Sequence, residues 1–161
     1  MRGGALPAAL LCGAVGLAIA FAPRRAWLPS VVILTCTAFI AGTVPFGTGG
    51  LETVFLGCWT SVAVSAVTVH LPCGLGSRGA LALSLNCGFW SGAVIAVAGS
   101  SPDLFKAVPC VLVSFPAAWI VRSGAPIVVK VISSWLIAIA VLSATLALLP
   151  VTPGYLPDHL E

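Results

Sequence analysis

The sequence predicts an all-α, polytopic membrane protein with six transmembrane helices, and three observations carry that reading. The 161 residues are 60% hydrophobic and 7% charged, where a soluble domain is about 25% charged. Apolar stretches of roughly 20 residues, enough to cross about 30 Å of hydrocarbon, recur along the chain. One of them, Ala80 to Ala98, carries small residues four apart: Ala80, Ser84, Gly88, Gly92 and Ala96, with Ser100 beyond. Positions i and i+4 share a helix face. Gly88 and Gly92 form the GxxxG pattern of close membrane helix pairs.

The length allows one domain, a transmembrane bundle over residues 1–149 followed by a short polar tail over 150–161. Span one covers about Leu6 to Ala22. It follows Arg2 and ends in Ala18-Ile19-Ala20-Phe21-Ala22, so a cleaved signal peptide is the rival reading. Arg24 and Arg25 come at once and resist export of that end. Ala9, Gly13 and Gly16 favour a retained, packed helix. Span two covers about Trp27 to Val44, with Trp27 at the interface. The following segment, Pro45 to Gly50, is a turn by composition. Span three covers about Leu51 to Leu71. Its own small row, Gly57, Ser61 and Ser65, makes it the expected partner of the span-four seam. Glu52 opens it, where an acid suits the helix dipole.

The loop Pro72 to Gly79 contains Gly74-Leu75-Gly76-Ser77-Arg78-Gly79. Written as GxGxxG, this pattern requires a preceding strand and a βαβ unit to bind a dinucleotide. Here it follows a membrane helix, and the glycines are expected to close a helical hairpin. Span four covers about residues 80–98. Its one strongly polar side chain, Asn86, lies about 200° around the helix from Gly88. With Trp90 and Ala93 it faces away from the small seam. An amide cannot face lipid cheaply, so Asn86 must meet another helix or water. Span five covers about Leu104 to Val121. Pro109 and Pro116 lie two turns apart, and each is expected to kink it. Span six covers about Ile127 to Leu149, with Lys130 snorkelling from its first turn. The tail holds Pro150, Pro153 and Pro157 and cannot continue the helix.

Six spans place Arg24, Arg25, Arg78 and Arg122 on one side, with Lys130 close by. Arg2, Lys106 and every acid (Glu52, Asp103, Asp158 and Glu161) fall on the other. The positive-inside rule makes the first side cytoplasmic and puts both termini outside. Spans one to three also overlay spans four to six at a shift near 75 residues, setting Cys12-Gly13 on Cys87-Gly88 and Gly16 close to Gly92. Such halves would be inverted, as in many transporters.

The middle of the chain resembles a family of small bacterial inner-membrane proteins, the domain of unknown function family 1097. The residues that carry the likeness are Thr35-Cys36-Thr37-Ala38-Phe39, Gly49-Gly50-Leu51, Gly88-Phe89, Gly92-Ala93, Ala98-Gly99, Asp103, Lys106 and Pro109. It covers about Trp27 to Val121. Thr35 stands where glycine is expected, and the last span is longer than usual for the family. The resemblance implies a multi-pass bacterial inner-membrane protein and no particular reaction.

Catalysis requires a constellation of nucleophile, base or metal ligands. The chain offers His70 near Cys73, His159 in the tail, and six cysteines (Cys12, Cys36, Cys58, Cys73, Cys87 and Cys110) without a CxxC pair. Buried cysteines act as small hydrophobes. No enzyme, cofactor, metal or disulfide framework is expected. Bases adjoin only at Arg24-Arg25, so no nucleic-acid surface is expected either. The polar groups that stand out are Asn86 and an outer set of Glu52, Asp103 and Lys106. Lys106 is read either as the partner of Glu52 at an outer mouth or as a local partner of Asp103. Two functions follow. The preferred one is a small-solute channel or carrier, resting on Asn86, the kinked fifth span and the inverted halves. The alternative is a structural or accessory subunit packing through small-residue seams. Its partners would be met inside the bilayer: lipid, another copy of the chain, or another membrane protein.

Overall fold

The computed structural model describes residues 5–44, 50–72 and 74–148. Its elements are α1 (Ala5–Ile19), α2 (Arg24–Gly42), α3 (Leu51–Thr68), α4 (Ser77–Ala98), α5 (Ser101–Ala107), a 3-10 segment (Val108–Val113), α6 (Ser114–Arg122) and α7 (Pro126–Leu148). The all-α polytopic class is what the chain adopts. The expected turn over 45–49, the Cys73 thiol and the tail at 150–161 lie outside the described residues. Five stretches are long and apolar enough to cross a membrane: α2, α3, α4, Pro102–Arg122 taken together, and α7.

Span one is the exception. Helix α1 has 15 residues, about 22 Å at 1.5 Å per residue, and falls short of the hydrocarbon thickness. It is also the most enclosed element. Leu11, Cys12, Ala14, Val15 and Ile19 are fully buried, with α3, α4 and the fifth span packed around them. A helix surrounded by protein has no lipid thickness to match. That segment supplies the centre of the core.

The span-four seam has a different partner from the one its spacing suggested. A Cβ built on Gly88 would lie 2.6 Å from the Leu34 carbonyl oxygen, and one on Gly92 would strike the Ala38 carbonyl and Ala41. The helix at backbone contact with α4 is therefore α2, not α3. Residues 34 and 38 rise together with 88 and 92, so the two helices run parallel. The matching row on α2 is Ser30, Leu34, Ala38 and Gly42, all but Gly42 fully buried. Carrying the register back one turn sets Ser84 level with Ser30, and neither buried hydroxyl has a hydrogen-bond partner. Ala96 leaves the seam and lines an outer cleft with Phe39, Thr43 and Ser100. Helices α2 and α4 both begin three residues before the expected starts, at Arg24 and Ser77.

The fifth span is one continuous helical run that changes to 3-10 geometry between α5 and α6. Pro109 is the second residue of the 3-10 segment, and Pro116 is the third residue of α6. The junction residues stay helical, so each proline removes an N–H that the continuing helix would otherwise use. The 3-10 segment lies directly on α1: a Cβ on Gly16 would be 2.8 Å from the Val111 carbonyl oxygen. Gly16 permits that approach.

The bundle separates its charges end from end. Arg24 and Arg122 share one cleft, and the Gly74 turn (φ +67) approaches the Phe21 carbonyl at the same end. Glu52 and Asp103, in the first turns of α3 and α5, and Lys106, in the last turn of the short α5, lie at the other.

Gly92→Ala is expected to lower stability by about 1–3 kcal/mol through overpacking against α2. Gly13→Ala, which meets nothing within 4 Å, should be close to neutral. Ser30→Ala and Ser84→Ala should be neutral or stabilising, because each removes a buried hydroxyl without a partner. Thermal unfolding in a neutral detergent checks all four.

Candidate functional site

With α2 on its glycine face, α4 turns Asn86 and Trp90 toward α3. The Asn86 side-chain amide donates to the Ser61 hydroxyl at 3.0 Å and approaches the Cys87 sulfur at 3.9 Å. Ser65 donates to the Ser61 carbonyl at 2.6 Å, as i−4 back-bonding allows, and touches the Cys87 sulfur at 3.1 Å. Deeper in, the Cys12 sulfur lies 3.7 Å from the Ser91 hydroxyl. Polar groups thus run inward from the α3–α4 surface to α1. They are hydroxyls, thiols and one amide, with no formal charge. Cys12, Cys58 and Cys87 are fully buried, and every described cysteine is a free thiol.

Above Asn86 and Ser61 lies an open groove of about 570 Å³. Its lining is mostly apolar, and Thr60, Thr68, Ser61 and Asn86 supply the polar part. Its two ends differ. Toward the basic end it passes Thr68 and Gly79 and reaches Leu75 in the loop. Toward the other end the Trp90 indole lies flat against Gly57, so close that any Cβ there would strike the ring. The groove therefore stops near mid-depth, with the amide at its floor. Sequence spacing identified Gly57, Ser61 and Ser65 as a small row. It did not show that Gly57 seats an indole.

The outer set resolves in favour of the local pairing. The Lys106 ammonium lies 3.4 Å from the Asp103 carboxylate. The same carboxylate accepts the Ser100 backbone N–H at 2.9 Å and its hydroxyl at 2.7 Å. Asp103 is thus the acidic member of a capping box that starts α5. Glu52 is exposed in the first turn of α3 and makes no ion pair with Lys106. The outer mouth closed by Glu52 and Lys106 is not formed.

Two hydrogen bonds that spacing did not anticipate tie α7 to α3. Ser133, fully buried, donates to the Ala66 carbonyl at 2.5 Å. Ser134 lies 3.4 Å from the His70 ring nitrogen Nε2. His70 is therefore engaged with a serine. Among the described residues no three His, Cys, Asp or Glu side chains converge as metal ligands would.

No protein-family model, curated protein or solved structure matches the chain.

A double-mutant cycle on Asn86→Ala and Ser61→Ala should return a coupling of about 0.6 kcal/mol, and no more than about 1.7, as interhelical hydrogen bonds in membranes do. The corresponding cycle on Glu52→Gln and Lys106→Gln should show simple additivity. Both are read from unfolding in detergent.

Proposed function

We propose that the protein is a small-solute channel or carrier of the bacterial inner membrane, with the α3–α4 groove as its cytoplasmic half-path. The observation that carries this reading is the groove itself. It runs between α3 and α4 from Leu75 and Gly79 near the basic end to Asn86 and Ser61 at mid-depth, where Trp90 against Gly57 stops it. A polar site at mid-membrane behind a bulky side chain is the usual form of a transport site. The described charges all lie at the bundle ends, so the fitting solute is small and uncharged.

The packing of the two halves supports the same reading. Gly16 of the first span backs onto Val111 of the fifth, and Gly92 of the fourth backs onto Ala38 of the second. Overlaying the halves exchanges these two contacts, as inverted repeats would. The reciprocity stops at the third spans: α3 packs on α1, α4 and α7, whereas α7 packs chiefly on α3. The positive-inside rule, applied to Arg24, Arg25, Arg78 and Arg122, supports a cytoplasmic basic end with both termini outside. The resemblance to family 1097 points to the same membrane.

The accessory-subunit reading has its own support, because the groove also opens sideways between exposed Thr60 and Val64 on α3 and Ala82 on α4. A partner helix would fill it there and exclude water.

Thiol labelling separates the two. In a background with the native cysteines replaced, Thr68→Cys and Asn86→Cys are expected to react with a membrane-impermeant reagent in inside-out vesicles and to stay silent in whole cells. Cys73 restored alone serves as the cytoplasmic control. Trp90→Ala should then make position 86 reactive from outside. Silence at both positions from both sides would overturn the transport reading and leave the accessory one.

A further inference from the structure

The cleft at the basic end is a second site, independent of whether any solute crosses. It has a volume of about 440 Å³ and is lined by Arg24, Trp27, Phe115, Ala118, Trp119 and Arg122. Two separate spans supply its two guanidinium groups. Arg24 is the first residue of α2 and Arg122 the last of α6. Among the described residues neither meets a carboxylate; the acids described, Glu52 and Asp103, open α3 and α5 at the far end. Arg122 is nonetheless positioned. The Trp27 indole N–H donates to the Ala22 carbonyl at 3.2 Å, and its ring packs edge-on to Phe115 with centroids 5.8 Å apart. The Arg122 guanidinium then lies 5.8 Å from the centre of the Trp27 ring, within cation–π range. The first-turn N–H groups of α2, which no side chain caps, add the positive end of a helix dipole at the same place.

The cleft's aromatic wall faces outward. Trp119 is 72% exposed and Phe115 60% exposed, on a surface that meets lipid in a membrane. Tryptophan favours the headgroup level. A guanidinium pair without a counter-ion, beside apolar rings directed at acyl chains, matches an amphiphilic anion better than a soluble one. Basic pockets between spans on the cytoplasmic face are where anionic headgroups bind.

We infer that Arg24 and Arg122, framed by Trp27 and Trp119, form a binding site for the phosphate of an anionic phospholipid headgroup. The protein purified free of lipid in a neutral detergent tests this. The probes are phosphatidylglycerol, phosphatidylcholine and inorganic phosphate, read by the number of bound molecules in native mass spectrometry and by the shift in melting temperature. Phosphatidylglycerol is expected to bind and to raise the melting temperature, and added salt to weaken both effects. The Arg24→Gln/Arg122→Gln variant should bind it roughly thirtyfold more weakly, about fivefold for each guanidinium lost. A charge-matched control, Arg25→Gln/Arg78→Gln, should bind as the unaltered protein does. Equal binding by the two double variants would overturn the assignment. So would equal binding of phosphatidylcholine, or an equal response to inorganic phosphate, which would make the site one for free anions. If the Arg24/Arg122 variant does not fold, the comparison of the three probes on the unaltered protein decides.

Discussion

The close approach of α2 and α4 is the constraint on which the rest of the bundle depends. In lipid no hydrophobic force draws apolar helices together, so association rests on packing and on interhelical hydrogen bonds. Gly88 and Gly92 allow the α4 backbone to lie on the Leu34 and Ala38 carbonyls. That contact fixes the rotation of α4, and with it the direction of every other α4 side chain. Asn86 and Trp90 must then point to α3, and Cys87 and Ser91 toward the interior. Helix α3, held by Asn86 and by Trp90 over Gly57, in turn carries α7 through Ser133.

Within that frame polarity is introduced without charge. The interior contains a few serine hydroxyls, of which Ser65 bonds back to its own helix, Ser133 bonds across to α3 and Ser30 and Ser84 have no partner, together with three thiols and one amide with a serine partner. Each such bond is worth little in a membrane, but an amide left facing lipid would be costly. The formal charges stay at the ends, where water and headgroups solvate them. This division leaves a polar floor at mid-depth inside a shell that is otherwise apolar.

The class of fold and most of the spans were legible because hydropathy and helix length are set by the bilayer itself. The small row of α4 was legible too, and so was the fact that Asn86 would turn away from it. The identity of the facing helix was not. Two spans carried small residues at the right spacing, and Ser30, Ala38 and Gly42 on α2 are interrupted by Leu34, which weakens the pattern to the eye. Spacing on one helix specifies a face, not what meets it. The 3-10 run around Pro109, and its approach to α1 at Gly16 nearly a hundred residues away in the chain, were not legible. The Glu52–Lys106 pairing failed for a local reason: Asp103 is three residues from Lys106, within reach on the same turn. The arginine cleft was visible only as charge on one side, because its aromatic wall is drawn from two distant spans.

The enclosure of α1 has a consequence for how the protein is made. This helix leaves the ribosome before its neighbours α3, α4 and the fifth span, the last of which ends at Arg122. Until those segments have been synthesised, a helix about 22 Å long lacks the protein surfaces that enclose it. Its final place exists only after they are inserted. Assembly therefore closes on α1, and damage to α1 would surface late in biogenesis, as inserted chains that never compact.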